Sequence, residues 1–393
     1  MMDKLHIENI IHALSIVHPH QDRPIALHEP CFCGNEWVYL KNCLDSTYVS
    51  YVGQYVTQFE SMLADFTGVK KAVAIVNGTS ALHMALKLAG VEVNDEVFVP
   101  ALTFVATANA VTYCGAFPHF VDSEEKTLGL APGKLKEYLR DIAKITSDGC
   151  FNKLSGRRIK AVVPMHAFGH PIDMEPLMEI CEEYRLEVIE DAAESLGSYY
   201  KGRHTGNWGK LAILSFNGNK TITTGGGGAI LTNDNDLGER AKHLTATAKI
   251  PHPWEYRHDH IGYNYRLPNI NAALGCAQME TLPKFLEQKR QLALRYQNAF
   301  KDVKGVRIFK EPPAARSNYW LNALILDETF ADMRDEVLKR TNDCGFKTRP
   351  AWDLLNTLTI YENCPAMDLS VAESLARRLI NVPSSSFLGR EDV

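Results

Sequence analysis

The sequence predicts a two-domain α/β protein. Its larger domain should carry a mostly parallel mixed sheet flanked by helices, and the smaller C-terminal domain should be α+β. Three observations carry this. The 393 residues are too many for one small core. Short apolar runs alternate with helix-like stretches between about residues 55 and 232, the rhythm of strands joined by crossover helices. Near residue 270 that texture gives way to a long helical segment and then to mixed elements.

In chain order, Leu5, Ile10, Ile11, Leu14 and Val17 share one helical face, so residues 1–29 read as an N-terminal helical segment. The opening MMDKLHIENIIHALSIVHPHQ lacks the basic flank, unbroken apolar stretch and cleavage site of a secretory signal, and the chain is expected in the cytoplasm. Tyr55, Val56, Phe59, Met62, Leu63 and Phe66 fall at helical spacing, and Ala72 to Val76 then form a strand-like run. Further strands are expected at 97–100, 117–121, 159–164, 186–189, 211–216 and 229–231, with a helix over 173–184. Residues 97–121 hold no Asp, Glu, Lys or Arg, which raises a membrane span. Pro100, Thr103, Asn109, Thr112, Gly115 and Pro118 break the run, and a buried strand, helix and strand explain it better. The large domain is placed at 30–270. The small one, 271–393, opens with a helix over 270–301 and continues with strands around 318–326 and helices around 330–340 and 370–380.

A formal net charge of −5 without runs of like charge argues against a nucleic-acid partner. Nine cysteines, an odd number in a chain with ample core, read as free thiols in a reducing compartment, Cys31 and Cys33 included.

Three segments carry chemistry. Ser215-Phe-Asn-Gly-Asn-Lys220-Thr-Ile-Thr-Thr followed by Gly225 to Gly228 lies between two buried strands. It is no P-loop, because there the lysine follows the glycines; by itself it is either a surface lysine beside a flexible hairpin or a reactive one. Val188-Ile-Glu190-Asp191-Ala-Ala-Glu194 places acids where a parallel strand ends, the usual location of catalytic groups in open sheets. An aspartate there can keep a pyridinium nitrogen protonated or can simply cap a helix. Val73 to Val76 followed by Asn77-Gly78-Thr79-Ser80 is a strand, a tight turn and a helix start, a ready phosphate site although a common turn. His252, His258 and His260 share a loop, but no ligand spacing supports a metal, and none is expected.

Taken together, these segments resemble the pyridoxal-5′-phosphate (PLP) enzymes of fold type I, which present a phosphate cup, an aspartate and a Schiff-base lysine in this order. Pro100-Ala-Leu-Thr-Phe104-Val-Ala-Thr-Ala-Asn-Ala, Glu190-Asp-Ala-Ala, Ser215-Phe, Lys220 with its glycine run and Gly262-Tyr-Asn264-Tyr-Arg266-Leu narrow the resemblance to the nucleotide-sugar aminotransferases of the DegT/DnrJ/StrS family, over roughly residues 30–385. The resemblance implies that Lys220 carries PLP and shuttles protons, Asp191 meets the pyridine nitrogen and Phe104 stacks on the ring. It further implies that Gly78, Thr79 and Ser215 hold phosphate with Ser80 in the same turn, and that Asn264 reaches the phosphate of a neighbouring subunit in a homodimer. Glu194 stands where relatives often have Gln, close to cofactor and substrate. His166 either lines the site or caps a strand end, and Lys249, Tyr319 and Trp320 are possible substrate contacts.

A lysine at 220, where some sugar dehydratases carry His, favours amino transfer over dehydration or lyase chemistry, and no DNA-binding appendage suggests a PLP-binding regulator. The implied reaction is ping-pong. L-Glutamate converts PLP to pyridoxamine 5′-phosphate, which aminates a nucleotide-linked keto sugar. The stretch Thr247 to Asn264 resembles the branch that makes 4-amino sugars on the bacillosamine and legionaminic-acid routes, which implies a UDP-linked 4-keto-6-deoxy-N-acetylhexosamine as acceptor.

Overall fold

A computed structural model describes residues 5–19 and 24–390. The strands of the large sheet are β1 (Lys71–Ile75), β2 (Glu96–Pro100), β3 (Phe117–Val121), β4 (Ala143–Thr146), β5 (Gly149–Asn152), β6 (Arg158–Val162) and β7 (Glu187–Asp191). After a short hairpin of β8 (Tyr199–Tyr200) and β9 (Arg203–His204), β10 (Leu211–Ser215) and β11 (Gly228–Thr232) complete it. The order is β1-β11-β10-β7-β6-β2-β3, with β4 and β5 attached at β6. The run from β10 to β3 is parallel, and β11 pairs antiparallel with both neighbours. This is the mixed, mostly parallel sheet that the apolar runs predict. β2 and β11 are buried along their whole length, as strands covered on both faces must be.

Helices α1 (Ile7–Val17), α2 (Glu36–Asp45) and α3 (Gln54–Thr67) precede the sheet. Its connections include α4 (Gly78–Leu88), α5 (Ala106–Tyr113), α6 (Pro132–Ile142), α7 (Met174–Glu183) and α8 (Asn235–Thr245). Residues 97–121 are therefore β2, α5 and β3, and among the described residues no helix is long and apolar enough to cross a membrane. The 32-residue α9 (Asn269–Phe300) spans two packing clusters. Ala272, Cys276 and Leu282 pack with Phe59 of α3 and Leu214 of β10. Leu292, Tyr296 and Phe300 pack with Ile10 and Leu14 of α1 and with Val382. A boundary at 270/271 thus falls at the head of a helix that serves both clusters, and α1 packs with the C-terminal elements. Residues 1–4, 20–23 and 391–393 of the N- and C-terminal segments lie outside the described residues.

The C-terminal sheet runs β12 (Val306–Ile308), β14 (Asn322–Leu326), β16 (Leu379–Val382) and β15 (Arg349–Pro350), all antiparallel, while β13 (Ala315–Arg316) pairs with β8. α10 (Arg334–Asp343) and α11 (Ser370–Arg378) complete this region. The strand expected from residue 318 begins at Asn322, because Tyr319 has φ of 47° and the Asn318 amide donates to the carbonyls of Glu194 and Leu196. Residues 317–320 thereby become a clamp on the large sheet instead of part of a ladder.

Candidate active site

The site forms at the carboxyl ends of the parallel strands around a cavity of about 300 Å³. At the β1–α4 turn, Asn77 caps the helix, its side chain accepting the Ser80 N–H at 2.7 Å. Gly78 and Thr79 line the cavity at the helix N-terminus. Two glycines make the turn possible: a Cβ on Gly78 would meet Ser215 Cβ at 3.0 Å, and one on Gly228 would come within 2.7 Å of the Asn77 carbonyl carbon. The glycine run therefore lets the β11 backbone press against the helix start, and Ser215, at the end of β10, lies beside the same turn.

β7 ends on Glu190 and Asp191, whose side chains point to opposite faces of the sheet. Asp191 lines the cavity. Thr107 Oγ1 donates to it at 2.8 Å and the Ala193 N–H at 3.2 Å. Burial pushes its pKa up against the pull of these donors. Glu190 instead accepts N–H groups from Gly206, Trp208 and Gly209 at 2.7, 2.6 and 2.8 Å and lies 3.2 Å from His166 Nε2. Since His166 Nδ1 accepts the Ile172 N–H at 3.3 Å, Nε2 carries the proton toward Glu190. His166 is fully buried in this strut and is not among the cavity-lining residues, unlike its neighbour Met165.

Lys220 closes the turn after β10, its N–H bonded to the Asn217 carbonyl. Its Nζ donates to Glu194 Oε1 at 3.2 Å and sits 3.9 Å from the centroid of the Trp320 ring. Trp320 is fixed by donating its indole N–H to the Asn219 carbonyl at 2.8 Å. Below it, fully buried Lys289 donates to the carbonyls of Trp320 and Ser384 at 3.1 and 2.7 Å. Glu194 Oε2 accepts the Phe168 N–H at 2.8 Å, and burial drives the Glu194 pKa up to about 7. Phe104, 51% exposed, forms another wall.

Of the residues singled out from sequence, Gly78, Thr79, Phe104, Asp191, Glu194, Ser215, Lys220 and Trp320 line one cavity. Ser80 is not among the lining residues and has its N–H engaged by Asn77. Asn264 is exposed and outside this cavity, bridged to Ala246. Lys249 lies over the Tyr256 ring instead. His260 gathers with His243 and Asp259, their ligand atoms within 4.8 Å of one another, while His252 and His258 bond to local backbone. Sequence reasoning missed Thr107, Asn219 and Trp352, and it placed Asn77 in the turn without reading its capping role. Only Thr107 left a signal, standing three residues after Phe104 on what becomes the start of α5.

A helix N-terminus kept clear by glycines, a buried carboxylate and a lysine, all lining one cavity, match the phosphate, ring nitrogen and aldehyde of PLP. The cleared cradle over Gly78 is the feature that fits this cofactor best. Fold and site together define a PLP-dependent aminotransferase of fold type I. More narrowly, the chain belongs to the DegT/DnrJ/EryC1/StrS aminotransferase family, whose sequence profile matches residues 32–393. It is 37% identical over 371 residues to a GDP-perosamine synthase of Caulobacter vibrioides, covering 94% of this chain and 95% of that protein. It is 38% identical over 376 residues to EpsN of Bacillus subtilis, named as a pyridoxal phosphate-dependent aminotransferase, with 94% and 93% covered. The solved aminotransferase TlmJ of Streptoalloteichus hindustanus superposes with a TM-score of 0.83 at 28% identity, over 92% of this chain and 93% of that one. The protein is a PLP-dependent nucleotide-sugar aminotransferase. The relatives do not single out a bacillosamine or legionaminic-acid branch.

Proposed function

We propose that this enzyme moves the amino group of L-glutamate to the 4-keto group of UDP-4-keto-6-deoxy-N-acetylglucosamine, giving a UDP-4-amino sugar for surface-glycan synthesis. The observation that carries the amino-transfer chemistry is Lys220 Nζ in the same cavity as Asp191, beside the glycine-cleared turn. Bound PLP supplies an electron sink and holds the amino group between the two half-reactions. In this reading Asp191 keeps the ring nitrogen protonated, Phe104 covers the ring, and Gly78, Thr79 and Ser215 receive the phosphate. Lys220 Nζ carries protons to and from the reacting carbon.

A homodimer with shared sites completes the reading. Asn264 is exposed outside its own cavity, and Trp37, Trp254, Tyr256 and Ile261 are 77–88% exposed, apolar area that suits an interface. Resemblance over 247–264 supports the UDP-linked acceptor. The name of the Caulobacter relative supports a second reading, in which the acceptor is GDP-linked. A panel decides between them: L-glutamate with UDP-4-keto-6-deoxy-N-acetylglucosamine, a GDP-4-keto-6-deoxyhexose, dTDP-keto sugars and simple 2-oxo acids, read by mass as replacement of the carbonyl oxygen by an amine. Turnover of the UDP sugar is expected. Preference for the GDP sugar would replace the acceptor, and turnover of 2-oxo acids alone would remove the sugar reading.

A further inference from the structure

Glu194 is the carboxylate that touches the reactive amine. The pair is enclosed, with side chains 14% exposed for Lys220 and 3% for Glu194. Its geometry is fixed from both sides. Glu194 Oε2 is tied to the N–H of Phe168, a residue held at φ of 56° whose ring stacks on Trp352 at 4.8 Å, leaving Oε1 for Lys220. On the other side, Trp320 covers the amine and is anchored through Asn219 and Lys289. A glutamine here could accept only one of these two donors, the Phe168 N–H or the ammonium, and it could not take up a proton.

We propose that Glu194 is a catalytic acid–base residue whose Oε1 accepts the proton of the Lys220 ammonium and later returns it. This rests on the reading of Lys220 as the cofactor lysine. One N–H bond breaks and one O–H bond forms. The ammonium and carboxylate become an amine and a carboxylic acid, with no proton exchanged with water. The amine must be neutral to attack a carbonyl. In water an amine outcompetes a carboxylate for the proton by about six pH units. An enclosed site disfavours the charged pair relative to the neutral one, which narrows that gap. Consistent with this, burial raises the Glu194 pKa to about 7, against the pull of Lys220 and with a smaller push from Asp191. Two further titratable groups bear on the amine: Asp191, whose carboxyl is pulled down by the Lys220 charge although burial raises it, and His28, kept neutral by burial and by Lys289 and Lys220.

The test uses the cofactor-free full-length protein and follows, by absorbance, the rate at which it captures PLP between pH 5.5 and 9. Borohydride reduction and peptide mapping then locate the bound label. Wild type should slow about tenfold per pH unit below pH 7. In Glu194→Gln that limb should vanish or move by at least one unit, and in Glu194→Asp it should remain with a shifted midpoint. An infrared band of a protonated carboxyl present at pH 6 in wild type and missing from Glu194→Gln is the companion readout. A defect that was merely structural would lower the rate equally at every pH. The same limb in wild type and Glu194→Gln, or no difference in the carboxyl band, overturns the proposal. Label recovered on a lysine other than 220 would instead overturn the reading on which it rests.

Discussion

Glu190 and Asp191 are neighbours on one strand, both buried, yet they stand in opposite electrostatic conditions. Glu190 receives three backbone N–H groups and a histidine, and its pKa is lowered although burial alone would raise it. Asp191, facing the cavity, has one hydroxyl and one N–H, and its pKa is raised by burial. The contrast recurs further out: Glu96, at the far side of the sheet, is satisfied by His119, Asn152 and Ser155 and its pKa is lowered, whereas Glu194 in the cavity is pushed up. Buried carboxylates that hold the fold are saturated with donors. Those that line the cavity are left short, with capacity open for a partner that enters it.

The largest expected effect lies on the unsaturated side. Asp191→Asn is nearly isosteric and relieves a buried charge, so thermal stability should hold. The loss of the anion should still lower kcat/KM by on the order of 10²–10³-fold, about 3–4 kcal/mol of transition-state stabilisation. Steady-state kinetics beside a melting curve checks this, and near wild-type turnover would remove Asp191 from the reaction. Glu190→Gln should do the reverse. Whichever way the amide is turned, its NH₂ faces N–H donors, either that of Gly206 together with His166 or those of Trp208 and Gly209. Stability should fall by about 2–3 kcal/mol in denaturant titration, with turnover per folded molecule retained. A larger loss of turnover than of stability would dissolve the distinction between the two faces.

The sequence made much of the scaffold legible because the signals are local. Apolar runs such as 211–216 and 229–231 are buried strands whatever they pack on, and Lys220 and Asp191 stand out through their order relative to Gly78 and the glycine run. Strand pattern alone does not separate Glu190 from Asp191; the family resemblance is what singles out Asp191. Alternation along a strand says that the two face opposite ways, but which face meets the cavity depends on how α4 and α5 pack. Lys289 escaped, and Trp320 reads in sequence only as a possible substrate contact, for a related reason. Their roles arise where the clamp at 317–320, α9 and the turn after β10 converge, at sequence separations of 30 to 101 residues. His166 shows the opposite case, a residue near the site in sequence whose ring is spent inside the strut, the structural side of the two roles its position allows.

The smallest expected effect is a slope rather than a loss, and it sharpens the comparison because the two kinds of carboxylate must give opposite signs. Glu190 and Glu96 have folded pKa values below the ordinary 4.5. Their contribution to stability is present above that value and is lost as the pH falls through their folded values. Glu194 runs the other way. Between its ordinary 4.5 and about 7 the folded protein holds a proton that the unfolded chain has released. Stability therefore declines as pH rises through that window and levels off above it, with a slope of at most about 1.4 kcal/mol per pH unit. Urea titration of the cofactor-free protein at intervals from pH 4.5 to 8 should find this decline in wild type. Glu194→Gln should flatten it and gain on wild type toward pH 8, while Glu190→Gln should be shifted down yet keep the wild-type slope. A decline that persists in Glu194→Gln would assign the proton to another group, and Asp191, raised by the same burial, would be the next to replace.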